Sequence, residues 1–404
     1  MKKKIGIIII SSILILIIMI GLIYLYKDYQ VKHAIKIVNL SRNKVEVFEK
    51  VYLKDLIKEI NGTLEKNTKV DTNTIGEKEI SFYYTTDKKI KVPYTIKINV
   101  VDETPPIISM SKEKTVPVGT LKEDFKNSLF CGDNYDDTPK CTIEGDYDLN
   151  KVGSYSLIYR GVDSSNNESK YSFTLNVISP SKNKNNNQAK EEPLVTRIDD
   201  VIKEYKNKST KIGIDVSKWQ GDIDFKKVKQ SGIEFVYIRV GRGNGIGKEY
   251  ILDDKFIQNI KGFNEVGIPV GVYFYSYASN KSDARKEANW VLKQIKKYKV
   301  DLEIAFDWEN WSFYKEFHLS FYHLTEMAKE FIKTVEKEGY KGMLYSSKSY
   351  LENIWFPNNE TTWLAHYTQK TNYEGKYKVW QICNNGKVSG IEDNLVDIDI
   401  RYEK

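Results

Sequence analysis

One uncharged apolar run near the start of the chain constrains the fold more than any other feature. It extends over Ile5–Tyr26 and directly follows the three lysines Lys2–Lys4. As a helix rising 1.5 Å per residue it would be roughly 33 Å long, close to the thickness of a bilayer's hydrocarbon core. A cleaved signal peptide is the competing interpretation, but its apolar core is shorter, about 7–15 residues, and ends at small residues. We therefore predict a cytoplasmic tail at 1–4, a transmembrane helix at 5–26, and an extracellular remainder.

The rest of the chain is long enough for several globular domains. The sequence has 404 residues, of which 41% are hydrophobic, so packed cores are expected. Its 62 Lys and Arg against 55 Asp and Glu give a net charge of +7, too weak over this length to indicate a nucleic-acid partner. Three cysteines exclude a disulfide-dense scaffold.

A weak internal repeat lies between the apolar run and residue 179. Two pairs of segments alternate apolar and polar residues on either side of a polar turn, which is typical of strand-turn-strand structure. The pairs are 79–84 with 94–100, and 155–159 with 171–177. We predict two small all-β sandwich modules, at 34–101 and 102–179. Their closing hairpins resemble those of bacterial immunoglobulin-like modules of surface proteins.

The second module contains two cysteines on either side of a polar loop. Outside the membrane a disulfide between Cys131 and Cys141 is expected, with two reduced thiols as the alternative. Asp133, Asp136 and Asp137 in this loop could bind calcium, but we favour a solvated acidic turn and predict no metal.

After residue 179 the composition and the pattern of the sequence change. Residues 179–192 have almost no apolar side chain, and we predict a flexible linker at 180–197. Helical spacing of apolar residues predicts a lead-in helix at 198–210. Residues 211–404 then alternate strands and helices, which predicts an α/β, TIM-like barrel of about eight strands and five helices. The predicted strands are 211–216, 234–240, 268–275, 302–307, 342–346, 362–366, 378–383 and 396–400.

Acidic residues cluster at the ends of three of these strands. Asp215 ends the first, Asp307 and Glu309 end the fourth, and Asp397 lies in the last. Chemistry in such barrels gathers at the C-terminal ends of strands. Residues i and i+2 of a strand share one face, so Asp307 and Glu309 should point the same way. Neighbouring carboxylates repel, so one holds a proton, as glycoside hydrolysis requires. Each acid taken singly could instead cap a helix or form an ordinary salt bridge.

These motifs resemble glycoside hydrolase family 25, whose members are lysozymes (β-1,4-N-acetylmuramidases). The resemblance rests on Asp215-Val-Ser-Lys-Trp-Gln-Gly221, Asp307-x-Glu309, Val379-Trp-Gln381 and Val396-Asp397. It implies that Glu309 is the general acid and that Asp307 supports attack by the substrate's own 2-acetamido group. It also implies that Asp215 and Asp397 flank the same cleft. Asp399 departs from the family, which more often has Asn there; the extra acid could raise neighbouring pKa values or face solvent.

Aromatic side chains near the strand ends predict a sugar-binding cleft, because flat apolar faces pack on pyranose rings. A core position is the alternative for each one. The candidate substrate-binding residues are Tyr273, Tyr275, Tyr345, Trp363, Tyr367, Trp380 and Gln381. Tyr275, Tyr345 and Trp380 are favoured for the cleft. Trp308, between the two acids, should point away from it.

The sequence therefore predicts a membrane-anchored peptidoglycan hydrolase on the cell-wall side of a Gram-positive membrane, with the two modules as a stalk. The expected cut is the β-1,4 bond between N-acetylmuramic acid and N-acetylglucosamine, without cofactor. Four scattered histidines, with no His-Glu-x-x-His, argue against a zinc enzyme. Two alternatives remain open: a non-catalytic glycan-binding scaffold, and an N-acetylglucosaminidase.

Overall fold

The computed structural model describes residues 2–179, 195–309, 318–356 and 360–403. The chain begins with helix α1 (Lys2–His33), which continues past the predicted end at residue 26. The large apolar side chains between Ile13 and Leu25 are exposed. The segment Ser12–His33 has a mean hydropathy of 1.8 and is long enough to cross a membrane. A helix of this length and composition fits either a membrane span or a signal sequence.

The first compact unit ends at Glu103 and contains the first β-module. One sheet has four strands in the order β2-β6-β5-β4, and β1 and β3 form a two-stranded ribbon. The long hairpin β5–β6 contains both predicted segments, with Phe82 opposite Tyr94. The elements are β1 (Val38–Leu40), β2 (Lys44–Glu46), α2 (Leu53–Leu56), β3 (Ile57–Ile60), β4 (Gly62–Leu64), β5 (Gly76–Thr86) and β6 (Lys91–Val101).

The second unit, from Thr104 onward, begins with the second β-module. Its elements are β7 (Ile107–Ser109), β8 (Glu113–Pro117), α3 (Lys122–Asn127), β9 (Phe130–Gly132), β10 (Lys140–Glu144), β11 (Gly153–Val162) and β12 (Glu168–Ile178). The sheet order β10-β11-β12-β8, with a β7–β9 ribbon, repeats the layout of the first module. A disulfide joins Cys131 to Cys141. The likeness of both modules to immunoglobulin domains stays a prediction.

The C-terminal part of the second unit is a closed eight-stranded barrel. Its strands are β14 (Thr210–Val216), β15 (Phe235–Arg242), β17 (Val270–Tyr275), β18 (Ile304–Asp307), β19 (Gly342–Ser347), β20 (Thr362–Ala365), β21 (Val379–Val388) and β22 (Ile391–Tyr402). They pair in this order, and β22 closes the ring by pairing with both β21 and β14. Two short strands, β13 (Thr196–Arg197) and β16 (Ile251–Leu252), pair with β21 and β15. The predicted eight-stranded barrel is confirmed.

Helices connect the barrel strands on the outside. The described ones are α4 (Ile198–Tyr205), α5 (Phe225–Gln230), α6 (Phe256–Val266), α7 (Lys281–Ile295), α8 (Phe321–Lys337) and α9 (Lys348–Asn353), with a 3-10 turn at Lys218–Gln220. The lead-in helix α4 ends at Tyr205, earlier than predicted, because β14 already begins at Thr210. Of the predicted linker, residues 180–194 lie outside the described residues, and Thr196–Arg197 form a strand.

The last barrel strand is antiparallel to both of its neighbours, whereas the other seven strands run parallel to one another. Val388 of β21 pairs with Ile391 of β22, so only Ser389 and Gly390 connect the two strands. A two-residue connection can join only antiparallel strands. Gly390 has a φ of 96°, a conformation that side chains disfavour. As a result the first half of β22, not its end, reaches the face of the barrel where the parallel strands end.

The second β-module packs directly against the barrel. Phe130 and Ile107 of this module contact the apolar layer between the barrel strands and their helices. The Phe321 N–H at the start of α8 donates a 2.8 Å hydrogen bond to the Asp133 carbonyl. The second module is therefore in direct contact with the barrel, and the role of the two modules as a stalk stays a prediction.

Candidate active site

A cavity of about 330 Å³ opens at the face of the barrel where the parallel strands end. Its walls include all four predicted acids, which come from three different strands or their ends: Asp215, Asp307, Glu309 and Asp397. Strand register explains the meeting of the first and last, since Asp215 of β14 lies opposite Asp397 of β22. The structure thus brings together residues that are up to 182 positions apart in the sequence.

Asp215 is held at the base of the cavity by a chain of hydrogen bonds. Gln381 donates its Nε2–H to Asp215 Oδ2 at 2.7 Å. The Gln381 Oε1 in turn accepts the hydroxyls of Tyr345 at 2.9 Å and Tyr367 at 3.2 Å. Burial raises the pKa of Asp215 well above its usual value, and the nearby charges of Asp397 and Asp399 raise it further. Asp215 is therefore fixed in position and disposed to keep a proton.

Asp307 ends β18 and Glu309 lies two residues beyond it, and both line the cavity. Asp307 is buried, whereas Glu309 is exposed at the cavity wall. Burial raises the pKa of Asp307 well above its usual value, and the charge of Glu309 and a hydrogen bond with it raise it further. The pKa of Glu309 is also raised because protein displaces water around its carboxyl, although the Asp307 bond opposes this. Both pKa values are raised, so this pair retains a proton to higher pH than two free carboxyl groups would and can serve as a proton donor.

Asp397 completes the acid set on the opposite wall. Burial raises its pKa to about 6, with a smaller contribution from the charge of Glu309. A carboxyl with this pKa is mostly ionised at neutral pH. A site with one ready anion and nearby proton donors can both protonate a leaving oxygen and stabilise positive charge at carbon.

Asp399 lies below the cavity, fully buried. Its Oδ1 accepts the Trp363 Nε1–H at 2.8 Å. Its Oδ2 is buried beside Asp215, and only a proton shared by the two acids can make that contact a hydrogen bond. The extra acid therefore raises the pKa of its neighbour, and the alternative that it faces solvent is wrong.

Replacing Asp399 with asparagine is expected to stabilise the barrel at alkaline pH. Burial raises the pKa of Asp399 well above its usual value, so the folded protein binds a proton that the unfolded chain releases. The contribution of Asp399 to the free energy of unfolding is thus largest below about pH 4, and it falls as pH rises through the pKa of the folded state. The amide of the asparagine keeps an acceptor for Trp363 and offers Asp215 a permanent donor. We expect a gain of about 1–3 kcal/mol at pH 8 and a flatter dependence of unfolding free energy on pH.

Thermal or urea unfolding at pH 5 and pH 8 measures this effect. Asp254→Asn is the matched control, because Asp254 pairs with Lys218 at the surface and is 69% exposed. It should leave the pH dependence unchanged. An Asp399→Asn protein that is no more stable than the wild type at pH 8 would contradict the expectation that the buried carboxyl of Asp399 destabilises the barrel at that pH.

Most of the predicted aromatic residues do surround the acids. Tyr273, Tyr345, Trp363 and Tyr367 line the cavity with Gln381. Tyr367 is 52% exposed at the entrance, whereas Trp363 is buried at the base. Tyr275 lies opposite Asp307 in the strand register but is not among the lining residues.

Trp380 is not a cleft residue, contrary to prediction. Its ring meets Tyr205 of α4 edge-on at 5.9 Å, and its Nε1–H donates to the His366 carbonyl at 2.8 Å. Side chains alternate along a strand, so once Gln381 points into the barrel its neighbour must point out. The same rule holds for Trp308, which joins the outer apolar layer as predicted.

Several cavity residues were not singled out from the sequence. Ser217, Trp219 and Gln220 line the cavity and lie within the quoted motif, so their position beside Asp215 could have identified them. Trp219 is 67% exposed and offers an open aromatic face. Arg239 also lines the cavity, where a 2.7 Å ion pair with buried Asp253 fixes its guanidinium. Only the fold could reveal this residue, because it sits inside a predicted strand.

A second cavity of about 330 Å³ adjoins the first and shares Glu309, Tyr345 and Tyr367 with it. Lys348 and His366 lie on its far wall. Glu309 therefore faces both cavities. Within the described part of the chain, no group of three or more His, Cys, Asp or Glu residues could hold a metal ion.

Comparisons with known proteins agree on the C-terminal domain. Residues 214–391 match the model for glycosyl hydrolases family 25. The autolytic lysozyme of Clostridium acetobutylicum is 27% identical over 194 residues, which are 46% of this chain and 54% of that protein. An uncharacterized Escherichia coli protein, YegX, is 29% identical over 198 residues, 46% of this chain and 68% of that protein. This chain therefore matches only about half the length of the clostridial lysozyme.

Solved structures show similarity of comparable extent. The modular autolysin LytC of Streptococcus pneumoniae, solved in complex with a synthetic peptidoglycan ligand, is 29% identical with a TM-score of 0.44 and covers 49% of this chain and 48% of its own. A family 25 glycosyl hydrolase from Bacillus anthracis is 23% identical with a TM-score of 0.43 and covers 50% of this chain and 92% of its own. The sequence match is what assigns the domain: residues 214–391 form a glycosyl hydrolases family 25 domain that is similar to lysozymes.

Proposed function

We propose that this protein is a peptidoglycan hydrolase that cuts the β-1,4 bond between N-acetylmuramic acid and N-acetylglucosamine. One observation carries the proposal: four carboxyl groups on three strands converge on a single cavity whose walls are aromatic. Aromatic faces suit pyranose rings, and clustered acids suit glycoside hydrolysis. The similarity to lysozymes supplies the substrate class.

Glu309 is the proposed general acid. It is the exposed member of the carboxyl pair and lines both cavities, so the proton that the pair retains can reach a glycosidic oxygen between the two cavities when it resides on Glu309, with Asp307 then the anion. When Glu309 gives its proton to that oxygen, the bond to the anomeric carbon breaks and the sugar's own acetamido oxygen forms a new bond to that carbon. Asp307, buried beside Glu309, would orient the acetamido N–H and stabilise its developing charge. Water then attacks the anomeric carbon and the bond from that carbon to the acetamido oxygen breaks, while Glu309 takes a proton from the water, which restores the acid.

The remaining acids set the electrostatics of the cleft. Asp397, whose pKa is about 6, is the anion best placed to stabilise positive charge at the anomeric carbon. Asp215, held by Gln381, would hydrogen-bond the sugar from the base of the cavity. We further propose that α1 anchors the protein in the membrane, with the barrel on the cell-wall side. The exposed apolar side chains from Ile13 to Leu25 support this arrangement.

The test is digestion of purified peptidoglycan by the full chain, extracted from membranes with detergent. Products are reduced with borohydride and their new ends are identified by mass spectrometry. We expect muramitol ends. Glucosaminitol ends would instead assign an N-acetylglucosaminidase, and binding without release of fragments would assign a glycan-binding scaffold. Recovery of the full chain in a soluble fraction without detergent would contradict the anchor.

A further inference from the structure

The loop of the second β-module that the disulfide closes covers the N-terminus of α8. The carbonyl oxygens of Asp133 and Asn134 accept the N–H groups of Phe321 at 2.8 Å and Tyr322 at 3.3 Å. The first N–H groups of an α-helix have no partner within the helix. Residues almost two hundred positions earlier in the chain therefore supply acceptors for a helix of the barrel.

A side chain of the same loop adds the charged part of this cap. Asp137 Oδ1 accepts the N–H of Ser320, the N-cap residue of α8, at 2.6 Å. The same oxygen lies 2.7 Å from Nδ1 of His323 in the first turn. A carboxylate at a helix N-terminus also complements the positive end of the helix dipole.

Apolar contacts surround these hydrogen bonds. The rings of Phe130 and Phe321 stack with centroids 6.3 Å apart. Leu319 and Phe321 are 4% and 2% exposed, and Ser320 between them is fully buried. The contact at the start of α8 therefore combines hydrogen bonds with apolar packing.

The capped helix in turn supports the strand that carries the acids. Phe331 of α8 packs against Phe306 of β18, with ring centroids 5.2 Å apart. Phe306 directly precedes Asp307, and both residues are buried. A shift of α8 must therefore be taken up by β18, because packed interiors have little free space.

We propose that the second β-module is an integral part of the catalytic unit, and that Asp137 is a positioning residue for the acids on β18. Asp137 touches no substrate; it acts through α8 and Phe306. The activity part of this inference rests on the proposed function, whereas the structural part does not.

The experiment compares the full chain with Asp137→Ala, Asp137→Asn and the control Asp146→Ala, which removes an exposed carboxylate of the same module. Amide hydrogen exchange is followed by mass spectrometry in residues 318–325 and 302–309. For Asp137→Ala we expect exchange to rise about tenfold at the helix start and to rise also in 302–309. We expect kcat on soluble glycan strands to fall about tenfold, with KM unchanged.

The conservative variant separates positioning from general destabilisation. Asparagine retains an acceptor oxygen for Ser320, so Asp137→Asn should remain within about threefold of the wild type in both measurements. Faster exchange confined to 318–325, no change in exchange, or an unchanged kcat in Asp137→Ala would each overturn the proposal. If the wild type cleaves no glycan, the proposed function fails, and exchange in 302–309 alone then decides the positioning role.

Discussion

Replacing Glu309 with glutamine is expected to lower kcat on peptidoglycan by about a thousandfold, because a general acid contributes roughly 10²–10⁴ to such reactions. Glutamine keeps the size of the side chain but cannot give a proton to the leaving oxygen. KM should change little, since the aromatic residues and Gln381 that line the cavity remain. Initial rates with solubilised peptidoglycan measure both constants.

The matched control for this variant is Glu265→Gln, which changes an exposed carboxylate on α6. It should retain full activity. Unfolding curves for the two variants should coincide with that of the wild type, so that lost activity is not lost structure. Near-full activity of Glu309→Gln would show that another group protonates the leaving oxygen, and Asp307 would become the first candidate.

Replacing Arg401 with methionine is expected to lower the free energy of unfolding of the barrel by about 3–5 kcal/mol. Arg401 is 4% exposed, and its Nη1 and Nη2 donate to the two oxygens of Glu303 at 2.6 and 3.0 Å. The Tyr237 hydroxyl donates to the same carboxylate at 2.7 Å. Burial alone would raise the pKa of Glu303, but the bonds and charge of Arg401 outweigh it and lower the pKa to about 2. Methionine would leave this anion buried without its main partner.

Urea unfolding at pH 7 measures the loss, and Arg285→Met is the control. Arg285 pairs with Glu330 at the surface, with its own side chain 56% exposed. Exposed pairs contribute only about 0–1 kcal/mol. The double variant Glu303→Gln with Arg401→Met should recover part of the loss, because it removes the buried charge itself. If Arg401→Met and Arg285→Met lowered the free energy of unfolding equally, burial of the Arg401–Glu303 pair would not explain the effect.

Local pattern was enough to predict the barrel and its acids. The succession of strand-like and helical segments predicted all eight strands, and three strand ends carried carboxyl groups toward one face. The misplacement of Trp380 came from leaving aside the alternation of side chains along a strand, since Gln381 and its neighbour cannot both face the cavity. Asp397 was predicted to lie with the other acids, and it lines the same cavity although β22 runs antiparallel. The short turn at Gly390 places the first half of that strand at the face where the parallel strands end.

Contacts between distant segments could not be predicted from local pattern. The cap on α8 uses backbone carbonyls of Asp133 and Asn134, and any residue type has such a carbonyl. The acidic loop itself was visible as a cluster of aspartates, but nothing in its sequence indicated a helix as its partner. Arg239 was missed for a similar reason, because its role depends on Asp253 and on which way one strand residue points.

The contact between Trp380 and Tyr205 bears on where the smallest independently stable enzyme begins. The family match starts at residue 214, after α4. The Tyr205 hydroxyl also donates to the Gln369 carbonyl at 2.6 Å, so α4 is tied to two places on the outer surface of the barrel. Cutting at the family boundary would expose an indole, and an aromatic side chain buries about 150–250 Å². Side-chain burial, and not family resemblance, therefore sets the minimal unit, which begins no later than α4 at Ile198.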